Sequence, residues 1–152
     1  KPPRLEADER RTLMALLQFQ RESLVRKVTG VDDVAARYSP VGSGTSLLWL
    51  VRHVADAEAT WVLRRFAGRQ VATDQGVDAG DSLEAACAAH RAMWDRVDAE
   101  VDASASLEER CRAAGDPPVT LRWVLMHLLE ETARHAGHAD ILRELVDGST
   151  GR

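Results

Sequence analysis

Apolar residues recur at three- and four-residue spacing in four segments of about twenty residues each, with helix breakers between them. That pattern commits the chain to helices. The first segment runs from about Leu5 to Val28, with Leu13, Leu16, Leu17, Leu24 and Val28 at helical spacing and Gly30 as its stop. A connector follows, holding a short turn-like piece, VDDVAAR, and then Pro40, Gly42 and Gly44. Thr45 is the expected N-cap of a second helix, Ser46 to Ala67, closed by Gly68. Asp81 and Glu84 read as a capping box for a third helix, Ser82 to about Val101. After a short SLEERC piece and the stop signal GDPP, Thr120 caps a fourth helix from Leu121 to Asp147, ended by Gly148. No segment shows the β-branched alternation of a strand, so the expected class is all-α.

Four helices of about 30 Å suit a four-helix bundle, here as a single domain over residues 1–152. The connectors are too long to force simple up-and-down order. With 45% hydrophobic and 29% charged residues the chain is an ordinary globular one, and a net charge of -4 argues against nucleic acid as a partner. No apolar run reaches the length of a membrane span, and the N-terminal stretch has no apolar signal segment. Two cysteines, Cys87 and Cys111, cannot build a disulfide framework, so the expected setting is the cytoplasm. Of 20 basic residues only Lys1 and Lys27 are lysine, a bias toward GC-rich codons that points to a high-GC bacterial genome.

The fourth helix carries polar residues in the wrong place. At about 100° per residue from Glu131, Val124 and Leu142 fall near 20° and Leu128 near 60°. Glu131, His135 near 40° and His138 near -20° lie on that same stripe, with His127 near -40°. An unpaired buried carboxylate is costly, so these groups need a shared partner. A metal ion supplies one, because residues at i and i+4 converge on a helix face. His53 in LVRHVADAE sits at the edge of the second helix's apolar stripe and can add a third ligand. His53, Glu131 and His135 would leave coordination positions open, as catalytic zinc sites do. The competing reading is a buried Glu131–His135 salt bridge, or a pairing of Glu131 with an arginine such as Arg52. His90 reads as structural or exposed.

The segments SGTSLLWLVRHVADAEATW and TLRWVLMHLLEETARHAGHADILREL resemble the DinB-like superfamily, in particular its actinobacterial branch with mycothiol-dependent enzymes. The resemblance spans Glu9 to Gly151. It implies a bundle of up-down-down-up connectivity, often a homodimer. It also implies a divalent metal held by a His of the second helix and an i/i+4 pair of the fourth, positions that map onto His53, Glu131 and His135. Glu at 131 is similar to the maleylpyruvate isomerase subgroup, whose proper members carry a further C-terminal domain that this chain does not reach. The implied activity is a metal-dependent thiol S-transferase, joining a small-molecule thiol such as mycothiol to an electrophile. Zinc is the expected metal, with nickel, iron, cobalt and manganese also acceptable to the donor set. His138 is the catalytic candidate, as a further ligand, a water holder or a proton carrier. Arg52, Arg64 or Arg134 could bind the thiol's polar groups, and Trp49, Trp61 or Trp123 could wall the pocket. Metal-assisted hydrolysis and a non-enzymatic, stress-related metal-binding protein are the alternative functions.

Overall fold

The computed structural model describes residues 1–73, 76–113 and 118–150. Its elements are α1 (Glu9–Val28), α2 (Asp33–Arg37), α3 (Leu47–Glu58), a π-helical continuation of α3 (Ala59–Phe66), α4 (Leu83–Asp102) and α5 (Leu121–Asp147). Among the described residues no strand forms; the closest approach is one antiparallel bridge between Arg110 and Thr120. The fold is all-α, as the periodicity requires.

The helix ends follow side-chain chemistry. α1 starts at Glu9 and not near Leu5, because the Asp8 carboxylate accepts the Arg11 amide while its own backbone is extended. α3 is capped by Ser46, one residue later than expected. Its hydroxyl accepts the Trp49 amide, whereas the Thr45 hydroxyl is occupied by Ser43 Oγ at 2.9 Å. The Asp81–Glu84 capping box is replaced by Ser82, which accepts the Ala85 amide. Asp81 instead accepts the Asp78 amide and pairs with Arg52 of α3. α5 has the expected bounds, with Thr120 at its start and Gly148 at φ 74° just past its end. SLEERC forms turns, not a helix, and GDPP lies outside the described residues save for Pro118. The second helix does not stay α throughout. Its last eight residues open into a π-helix whose final carbonyls, on Arg65 and Phe66, accept the Ala113 and Arg112 amides.

Cross-links at both ends fix how the helices lie. Arg122 at the start of α5 bonds Glu9 at the start of α1, and Arg10 reaches the Val101 and Ser104 carbonyls at the end of α4. At the opposite end Lys27 pairs with Asp140, and Arg143 bonds the Lys27 and Thr29 carbonyls. α1 and α5 therefore run side by side in the same sense.

The core divides into two apolar clusters. One gathers Leu24, Val28, Leu47, Leu50, Val54 and Leu142; the other gathers Leu17, Val62, Phe66, Val97, Leu121 and Leu128. A polar layer separates them. There Arg21 forks onto both carboxylate oxygens of Glu58, at 3.0 and 2.6 Å, with both side chains fully buried. Arg21 also bonds Asp98 at 2.8 Å, and the buried His90 approaches Glu58 at 3.4 Å. His90 is thus structural and not exposed.

Candidate metal centre

Glu131 and His135 lie one turn apart on α5, and His53 reaches them from α3. Nε2 of His53 and Nε2 of His135 each stand 3.0 Å from Glu131 Oε1. The other carboxylate oxygen accepts from Arg134 Nη1 at 3.1 Å. Arg134, not Arg52, is therefore the arginine partner of Glu131. Burial raises the Glu131 carboxyl, but the hydrogen bonds and charges of His53 and His135 outweigh it and leave the group below its ordinary value. Burial pushes His135 down, against the pull of Glu131, toward the neutral form. The result is an ionised carboxylate facing two imidazoles, with 14%, 17% and 10% of the Glu131, His53 and His135 side chains exposed.

One ligand atom from each of the three lies within 4.8 Å of the others. A single ion with bonds of about 2 Å needs only a modest closing of this set. Two imidazoles and a carboxylate are a donor set that zinc and its neighbours accept, and three protein ligands leave positions free. The residues present fit a divalent metal.

The surroundings hold the imidazoles in place. Trp49, one turn before His53, stacks on it at 4.5 Å and 11°, while His53 Nδ1 is buried with no hydrogen-bond partner. Stacking on Trp49 and the Nε2 contact with Glu131 together orient that ring. His138 is exposed, and its Nδ1 lies 3.3 Å from His135 Nδ1, the nitrogen turned away from Glu131. His127 does not join the cluster. It stacks on Trp123 at 5.0 Å and meets Trp61 edge-on at 4.8 Å, and the Arg65 guanidinium covers Trp61 at 4.6 Å. Both cysteines are free thiols, pushed up by burial.

The sequence reading missed the Arg21–Glu58 pair, the Trp49–His53 stack and the π-helical turn. The first had a signal: Arg21 falls between Leu17 and Leu24 on the buried face of α1. The second had one too, since positions 49 and 53 are i and i+4.

The family model of the mycothiol-S-transferases matches residues 12–148. The chain belongs to that family. The DinB-like resemblance of the two helical segments agrees with it. Among solved structures the chain is similar to one described as the conserved protein of locus from Enterococcus faecalis. The TM-score is 0.68 at 18% identity, covering 94% of this chain and 99% of that one. This likeness supports the fold. No curated protein matches the chain. No helix among the described residues is long and apolar enough to cross a membrane.

Proposed function

We propose that the protein is a metal-dependent S-transferase that joins mycothiol, or a thiol of the same kind, to a small electrophile. The observation that carries this reading is the convergence of His53, Glu131 and His135 in a largely buried position, in a chain of the mycothiol-S-transferase family. A divalent ion held there supplies a Lewis acid that keeps a thiol sulfur in the thiolate form, the nucleophilic one.

The chain's own groups do the rest. Glu131 brings the negative charge that offsets the ion, and Arg134 on its second oxygen fixes the carboxylate's rotation. His53 is held flat by Trp49. His138 is a positioning residue: with a proton on His135 Nδ1 shared toward His138, the Nε2 lone pair of His135 is left to face inward. The stack on one side and the burial of all three ligands, 10–17% exposed, shield the cluster from bulk water.

The test joins metal analysis to an assay. Protein purified without added metal should carry about one divalent ion per chain. It should conjugate a generic electrophile only when mycothiol is present. A chelator should abolish that turnover, and added zinc should restore it. Turnover indifferent to thiol would move the protein to the hydrolases. Absence of metal, with melting unchanged by chelator, would leave a non-enzymatic protein.

A further inference from the structure

A cleft of about 270 Å³ opens beside the cluster, between the 41–45 loop and the C-terminal half of α5. Val41, Ile141 and Leu142 form its apolar walls, Ser43 and Thr45 bring hydroxyls, and His138 joins it to His135. A larger cavity of about 520 Å³, near the end of α1, is lined by Val25, Thr29, Ser82, Cys87 and Arg91 among others; neither opening is lined by a cluster residue itself, but the smaller one includes His138, which meets His135. Volume alone would choose the second; chemistry chooses the first.

The loop is a built wall. Ser39 Oγ lies 2.9 Å from the Val41 carbonyl and 2.8 Å from that of Thr45, and the Gly44 amide returns to the Val41 carbonyl at 3.1 Å. Gly44 makes this closure at φ +77°, a conformation other residues resist. Val41 and Ile141 meanwhile leave 39% and 59% of their surface to solvent.

We propose that this cleft holds the electrophilic co-substrate, a compact, neutral epoxide with an apolar body. The proposal rests on the transferase reading above. None of the lining residues is Asp, Glu, Lys or Arg, so nothing there offsets an ionic ligand. The Ser43 and Thr45 hydroxyls are 2.9 Å apart and share one hydrogen between them, which frees the other to donate. That hydroxyl and the His138 imidazole are the donors of an otherwise apolar cleft, and donors so placed ask for an acceptor oxygen. The volume lies just below the about 300 Å³ at which ligand sites usually begin, so the occupant is small. In the reaction the thiolate sulfur bonds to a ring carbon and that carbon's C–O bond breaks. Its electron pair stays on the oxygen, which takes a proton from solvent to replace the one the thiol lost. The product is a β-hydroxy thioether.

Ile141 is the sole isoleucine of the chain, so its δ1 methyl is a single reporter in the cleft. Titration of the protein with 1-phenylethanol, an unreactive mimic, should shift that NMR signal saturably, and Val41→Trp should abolish the shift. Val41→Trp and Ile141→Glu should each raise KM for styrene oxide about ten-fold, with metal content unchanged. An unmoved Ile141 methyl, or a Val41→Trp variant that binds like the parent, overturns the assignment. A saturable shift without any thiol-dependent turnover keeps the cleft as a ligand site and sinks the transferase reading instead.

Discussion

Glu58→Ala is expected to cost the fold about 3 kcal/mol, or roughly 6–12 °C in melting temperature for a chain of this size. The reason is what stays behind. Arg21 is fully buried, and its guanidinium spends two of its bonds on Glu58. Removing the carboxylate leaves that cation in the core with Asp98, whose side chain is 43% exposed, as its remaining ionic partner. The apolar clusters on either side cannot solvate it. The paired substitution Arg21→Met with Glu58→Leu should be far milder, near neutral, because no charge is then stranded. Urea unfolding of the three variants decides the matter. A Glu58→Ala loss below about 1 kcal/mol, or a double variant worse than the single one, would refute this account.

The same pair sets an acid limb. Burial raises the Glu58 carboxyl, but the His90 hydrogen bond and the Arg21 charge outweigh burial and hold it below its ordinary value. A carboxyl lower in the folded than in the unfolded chain adds stability above the unfolded value of about 4.3. That contribution disappears as pH falls through the lower, folded value. Unfolding free energies of parent and Glu58→Gln should therefore converge as pH falls below the unfolded value of about 4.3 and through the lower, folded one. A gap that stays constant with pH would contradict the depressed value.

What could be read in the sequence was whatever a single helix decides for itself. α5 begins after Thr120 and ends before Gly148 as expected, since each end has one good signal and no competitor. Adjacent candidates misled: Thr45 and Ser46 both carry hydroxyls, and the loop's own hydrogen bond claimed Thr45. The Asp81 cap failed through a tertiary partner, Arg52, which no local rule contains. The π-helical turn was invisible because its apolar residues also satisfy α-helical spacing. For the site, polar residues on the apolar stripes marked His53, Glu131 and His135, and the same test applied to Arg21 and Glu58 would have marked the buried pair. What the stripes cannot give is which marked residues meet. That depends on how α1, α3 and α5 pack.

His135→Ala and His53→Ala are each expected to strip the protein of bound zinc, lowering affinity by more than the roughly 10–100-fold typical of losing a supporting residue. Each removes one of the three ligands, an imidazole whose Nε2 now stands 3.0 Å from Glu131 Oε1. The two that remain cannot enclose an ion, and water takes the empty place. His138→Ala should fall in a lower band, about ten-fold, because it touches His135 through Nδ1 and not through the inward nitrogen. His138→Asn should recover most of that loss, since an amide can stand at the same nitrogen. The ranking separates a ligand from a residue that positions one, and a purely structural role for His138 would not distinguish Asn from Ala in zinc affinity. Titration with zinc alone, followed by metal analysis after desalting, reads it directly, with circular dichroism to establish that each variant is folded. Should His135→Ala retain zinc at the parent's affinity, the cluster is a salt bridge between Glu131 and two imidazoles and the transferase reading loses its centre. Should both alanine variants lose zinc while His138→Ala does not differ from the parent, the three-residue site stands and the positioning role of His138 falls.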